Sequence, residues 1–327
     1  MNEFMTRVLI PEPKFKITYR HNLFFIGSCF SDTIGATMKE LLFPVCHNPF
    51  GVIYNPLSVA RNLGLLLEKE SFTEKDLSFY NELWFSYYHY TRFSHPDKEK
   101  CLENINSTFK EARQLIYKAD FIFITLGTSW VFHLKETGQI VANCHKQPAS
   151  LFTHSFIPAE QSYESLKQCI KNIKEINPDA RFVFTVSPIR HWKDGAINNQ
   201  RSKAALLLGI AKLQEWDDDI YYFPAYEIFM DELRDYRFYA SDMLHPSESA
   251  QQYIWEKFIL NFIAEEDLKL LNNVQKIVTS VKHKPFFPNT KAYSNFRLDI
   301  INKIKKLSEK YKFIDYTGLL KNADDNV

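Results

Sequence analysis

Glycine is scarce in this chain, with nine among 327 residues, so those at 27, 35, 51 and 127 read as marks of backbone constraint rather than filler. Paired cysteines are absent too. The five Cys (29, 46, 101, 144, 169) are odd in number, widely spaced and form no Cys-x-x-Cys, which excludes a disulfide framework and points to reduced thiols in a cytoplasm. No apolar run approaches the roughly 20 residues that a membrane helix needs. The first sixteen residues carry Glu3, Arg7, Glu12 and Lys14 without an apolar core, so no signal peptide is expected. Neither sign of charge dominates. A formal charge of +1 gives no reason to expect nucleic acid or an anionic membrane as partner.

What is present is an ordinary core-forming composition, 45% hydrophobic and rich in Phe and Tyr, long enough for one large domain with additions. Leu23-Phe24-Phe25-Ile26 is an apolar run without polar alternation, the mark of a parallel strand covered on both faces. It ends in Gly27-Ser28. Ile34, Met38, Leu41 and Leu42 then recur at helical spacing, with Ser31 or Asp32 as candidate N-caps. A strand, a tight turn and a helix start therefore meet at Ser28, where unpaired N–H groups and a helix dipole favour a nucleophile and an oxyanion. The plainer reading is a turn in which Ser28 only caps.

Further along, 121–126 and 181–186 read as strands ending in Gly127-Thr128-Ser129 and Ser187-Pro188, and 220–223 as a shorter one. Helical patterns occupy 57–67, 166–176, 202–216 and 247–263. This alternation predicts a doubly wound sheet with helices on both faces, whose ligands bind beyond the carboxyl ends of the strands. Cys46 to Pro56 is a structured loop containing Asn48 and Gly51, bracketed by two Asn-Pro pairs. Residues 1–22 read as an irregular arm, and about 68–118 as an insertion whose Trp84, Tyr87, Tyr88 and Tyr90 form a local hydrophobic cluster. The Lys-rich 264–327 read as a mostly helical extension that wraps the domain of 23–263 or mediates association, with a homo-oligomer as one outcome.

Asp242 and His245 stand three apart just before a helix, so the carboxylate can hold one ring nitrogen while the other accepts a hydroxyl proton at neutral pH. With Ser28 they compose a candidate triad in the order Ser, Asp, His. No Gly-x-Ser-x-Gly surrounds Ser28, which separates it from the nucleophile elbow of the usual α/β-hydrolase.

Gly27-Ser28-Cys29-Phe30, followed by Ser31 where the signature has Ala, resembles the motif of the GSCFA family, which is related to the SGNH (GDSL-type) esterases and acylhydrolases. Asp242-Met243-Leu244-His245 resembles the closing block of that superfamily. The resemblance runs from about Leu23 to Phe262. It implies a three-layer α/β/α sandwich with a small parallel, flavodoxin-like sheet. It also implies ester hydrolysis or acyl transfer without a cofactor, on a small-molecule or carbohydrate ester. In it Ser28 is the nucleophile, His245 the base and Asp242 its orienter. Gly51 matches the second-block glycine, whose N–H joins that of Ser28 in the oxyanion hole. The third block departs from Gly-x-Asn: in Gly127-Thr128-Ser129 a Ser replaces the Asn donor, so Thr128, Ser129 or a substitute such as Asn143 has to supply that bond. The lost donor also keeps open a non-catalytic binding protein of the same fold, which a fluorophosphonate probe on Ser28 would distinguish. Cys29 is an alternative thiol nucleophile. Cys46-His47 and Cys144-His145 have no zinc-finger spacing, so no metal is expected. Asn48, His145, Arg190 and His191 are the candidate substrate-binding residues.

Overall fold

The computed structural model describes residues 5–325. Five parallel strands form the central sheet: β1 (Leu23–Gly27), β2 (Val45–His47), β5 (Phe121–Leu126), β9 (Arg181–Val186) and β10 (Ile220–Tyr222). Their order across the sheet is β10-β9-β5-β1-β2. Numbered along the chain that is 2-1-3-4-5, the flavodoxin-like arrangement, and its switch point lies between β1 and β5. The order brings the two Gly-containing strand ends side by side. Gly27 pairs with Thr125, two residues before Gly127.

Every residue of β1 and β5 is buried, which is why neither strand shows polar alternation. Leu23, Phe25, Phe121, Phe123 and Val183 face one helical layer. Phe24, Ile26, Ile122, Ile124, Phe182 and Phe184 face the other. The first layer holds α1 (Cys29–Glu40) and α7 (Glu248–Phe262); the second holds α2 (Pro56–Glu68), α3 (Lys98–Ile116), α4 (Ala159–Ile176) and α5 (Ala196–Trp216). The chain is thus an α/β three-layer sandwich.

Several elements start where the local chemistry requires. Asn55 accepts from the Ser58 N–H and caps α2, with Pro56 at the first helical position. Ser247 accepts from the Ala250 N–H and caps α7. The helix after β1 begins at Cys29, so its N-cap is Ser28 and not Ser31 or Asp32. Phe30, four residues before Ile34 and buried with it, already belongs to the apolar face in the first turn.

The aromatic region forms a hairpin, β3 (Ser78–Tyr80) with β4 (Leu83–Phe85), before α3. Phe72, His89 and Phe109 pack together there. Beyond β5 a small antiparallel sheet, β6 (Trp130–Leu134), β7 (Ile140–Val141) and β8 (Phe152–Phe156), stands over the sheet's carboxyl edge. After β10, a single turn α6 (Ala225–Glu227) runs into a π-helical turn at Ile228–Glu232. The last helices, α8 (Glu265–Lys282), α9 (Lys291–Lys310) and α10 (Thr317–Asp325), continue the first layer outward. Leu270, Val274, Ile277, Ile300 and Ile304 belong to the same apolar cluster as α1 and α7. The N-terminal arm docks there as well, through Ile17 and Tyr19 and a bridge from Ile17 to Ile263. Among the described residues no helix is long and apolar enough to cross a membrane.

Candidate functional site

Gly27 closes β1 with φ 141°, and a Cβ there would stand 2.1 Å from the Thr125 carbonyl oxygen, so only glycine lets the chain leave the sheet at this angle. Asn48 fixes the same turn. Its side chain accepts from the Gly27 N–H at 2.8 Å and donates to Asp32 at 3.1 Å. Ser28 follows, 1% exposed, and its N–H donates to the Thr125 carbonyl at 3.0 Å. Among the described residues Ser28 Oγ has no hydrogen-bond partner, and it does not cap α1. The first-turn N–H groups of α1, which a helix leaves without internal acceptors, therefore receive no cap from Ser28.

Asp242 and His245 lie in a tight loop after β10, closed by the Ala240 N–H donating to the His245 carbonyl at 2.8 Å. Met243 adopts the left-handed region with φ 59°, and the chain curls round the carboxylate. Asp242 accepts from the backbone N–H groups of His245 and Leu244 at 2.9 Å each, and from His245 Nδ1 at 2.5 Å. The backbone bonds first, then the ring, hold its carboxyl down at about 2. It is an anion at any ordinary pH, aimed at one nitrogen of the imidazole. Both side chains remain about half exposed, His245 at 49% and Asp242 at 47%.

His245 lines a cavity of about 300 Å³ between α1 and α7, together with Cys29, Phe30, Ile34, Ile189 and Trp255. A second cavity, of about 430 Å³, lies under the small antiparallel sheet, with Tyr54, Trp130, Phe132, Asn143, His154 and His191 on its walls. Cys29 and Tyr54, one from each cavity, approach to 3.6 Å between Sγ and Oη. The β1–α1 turn thus stands between two cavities of mixed lining, the first also bordered by Thr33, Glu248 and Gln251 and the second richer in aromatic rings and imidazoles. His191 covers the adjacent strand end: its ring is 5.0 Å from that of Tyr54, and a Cβ on Gly127 would meet its Nε2 at 2.8 Å. Burial, then the charges of Lys203 and His245, push His191 down to about 4, so it is a neutral imidazole at pH 7.

The sequence model of the GSCFA family matches residues 22–258, most of the chain. The chain belongs to the GSCFA family. A further model, that of the GSCFA domain protein C-terminal domain, matches residues 274–321, which hold most of α8 to α10. A search of curated proteins gives no match.

In this GSCFA chain the other residues singled out from the sequence fall into two groups. Several are committed to the fold. The Gly51 N–H donates to the Asn48 carbonyl at 2.8 Å. Ser129 is fully buried, its N–H donating to Ser202 Oγ at 2.6 Å and its hydroxyl to the Ser202 carbonyl at 3.1 Å. Thr128 Oγ1 bonds the same Ser202 hydroxyl. Three donors expected at an oxyanion, the N–H groups of Ser28 and Gly51 and the Ser129 hydroxyl, thus have acceptors inside the protein. Asn48, expected at the substrate, instead braces Gly27. The other group reaches the cavities. Asn143 and His145 line the second one, where Asn143 Oδ1 accepts from the His145 N–H at 2.7 Å. His145 Nε2 meets the Ser86 carbonyl at 3.0 Å, and burial keeps its pKa at about 4. Arg190 lines a third cavity together with Asp242. Among the described residues no group of three His, Cys, Asp or Glu side chains is placed to hold a metal ion.

Sequence reasoning missed Tyr54 and Lys203. Lys203 is buried in α5, and its ammonium donates to the carbonyls of Gly127, Ser187 and Ile189 at 2.7–3.0 Å. It ties the ends of β5 and β9 together beneath the site. Burial, then Arg190, lowers its pKa to about 7. A lysine in a helix pattern looks like any solvated one. Its only signal was the position Ser202-Lys203 ahead of Leu206, on the buried face.

Proposed function

We propose that this GSCFA chain is an esterase, acylhydrolase or O-acyltransferase of the SGNH type that acts on an O-acyl group through a covalent acyl-enzyme. The Asp242–His245 pair carries the reading: a carboxylate fixed by three bonds holds a half-exposed imidazole on the wall of a cavity that begins at the first turn of α1. An imidazole held in this way serves as a general base and then as an acid. Phe30, Ile34 and Trp255 in the first cavity offer apolar contact to an acyl chain, and Trp130, Asn143 and His154 in the second offer stacking and hydrogen bonds to a polar alcohol such as a sugar. All five cysteines are free, which supports a reducing, cytoplasmic setting.

The commitment of Ser28 N–H, Gly51 N–H and Ser129 within the fold favours a second reading, a binding protein that keeps the pockets without efficient chemistry. Hydrolysis of short activated esters decides between them. The enzyme reading expects turnover that His245→Ala lowers by about 10²–10⁴-fold; turnover indifferent to His245 would leave the binding reading standing.

A further inference from the structure

We propose that the nucleophile is the thiol of Cys29 and not the hydroxyl of Ser28, which makes the proposed esterase or acyltransferase a cysteine enzyme forming a thioester. The inference rests on the Asp242–His245 reading above and deepens it. Ser28 is 1% exposed and lines neither cavity beside the turn. Its N–H already serves the Thr125 carbonyl. A nucleophile there would have no path to substrate and no N–H of its own to offer an oxyanion. Cys29 differs on each count. It is half-buried, it is the first residue of α1, and it lines the cavity whose wall carries His245. The helix start behind it offers N–H groups that the Ser28 side chain leaves uncapped, and the dipole there favours a developing oxyanion. Tyr54 Oη stands 3.6 Å from the sulfur. Burial, then Cys29 itself, raises the Tyr54 pKa, so the phenol stays protonated and can donate to the sulfur or to the carbonyl oxygen of a bound ester.

The chemistry balances with an ester and water, or an acceptor alcohol. His245 takes the thiol proton as sulfur bonds to the acyl carbon and the carbonyl electron pair moves to oxygen. Collapse restores the carbonyl, breaks the bond to the alcohol oxygen, and His245 returns the proton to that oxygen. Water or the acceptor alcohol then attacks the thioester, giving its proton to His245 and releasing Cys29, which is reprotonated.

The test incubates the full chain with p-nitrophenyl acetate, quenches in acid and maps the acetyl group by mass spectrometry, before and after neutral hydroxylamine. The expected result is acetyl on Cys29 that hydroxylamine removes, a rate lowered by at least about 10³-fold in Cys29→Ala, and a far smaller loss in Ser28→Ala. Cys29→Ser keeps the shape of the turn. With an unchanged thermal midpoint it should show a depressed rate, separating chemistry from folding. Acetyl on Ser28, or a dead Ser28→Ala beside an active Cys29→Ala, overturns the thiol and leaves the esterase reading intact. No acetyl on either residue, with hydrolysis unaffected by His245→Ala, overturns both.

Discussion

The two halves of the candidate site are built in opposite ways. The strand-end half, Gly27 and Ser28 with Asn48 and Gly127, is buried, and its backbone groups are bonded across elements far apart in sequence. The dyad half, Asp242 to His245, is about half exposed and bonds mostly to itself within four residues. A buried half depends on the whole fold for its geometry, so errors there appear as instability. A self-contained exposed loop can lose its chemistry without troubling the fold. Substitutions in the two halves should therefore separate stability from activity.

The largest effect should come from the exposed half and touch activity alone. His245→Ala is expected to lose about 10²–10⁴-fold in kcat/KM, while the thermal midpoint stays put, since surface substitutions usually fall within about 0.5 kcal/mol. Asp242→Ala should lose no more than His245→Ala, and the double variant far less than the product, because the pair acts as a unit. Multiplicative losses would show that the pair does not act as a unit, and survival of activity in His245→Ala with its loss in His191→Ala would move the base to the loop after β9.

In the buried half Gly27→Ala should cost stability first. A methyl group driven into the Thr125 backbone at an unfavourable φ combines strain with overpacking, at least about 3 kcal/mol together. A normal denaturation midpoint for this variant would show that the turn is less constrained than its contacts indicate.

Lys203→Met should be milder, about 1–3 kcal/mol, from three carbonyls left without their donor. It also has a pH signature. In the wild type the unfolded lysine holds its proton up to its ordinary pKa near 10.5, whereas the folded one releases it near 7. The unfolded state binds more protons between those values, so this residue makes stability rise with pH across that window. The methionine variant should lose that slope. Chemical denaturation at several pH values measures it.

A last effect, spread over the buried imidazoles, appears in acid. His145 and His191 are held down to about 4, and His89 to about 3, chiefly by burial. Between the ordinary imidazole pKa near 6.5 and these values the unfolded chain takes up protons that the folded chain refuses. Stability contributed by their neutral burial should be complete above about 6.5 and decline as the pH falls towards 4. A flat midpoint over that range would contradict the burial of these rings.

The residues that the sequence made legible were those whose role is local. Apolar runs gave β1, β5 and β9, because a strand covered on both faces leaves no polar position in its own few residues. Asp242 and His245 could be paired on paper because three residues of chain suffice to bring them together. Tertiary structure decided the rest. Asn48 looked like a ligand group until the sheet placed Gly27 against it. Ser129 stood for a missing donor until α5 closed over it with Ser202. Lys203 was one more helical lysine until three carbonyls from two strand ends converged on its ammonium. Ser28 and Cys29 are adjacent in the chain, and only the packing of α1 against β1 and β2 buries the hydroxyl and leaves the thiol on the cavity wall. Burial and long-range bonds are properties of elements meeting in space, and no spacing along the chain encodes which side chain they leave free.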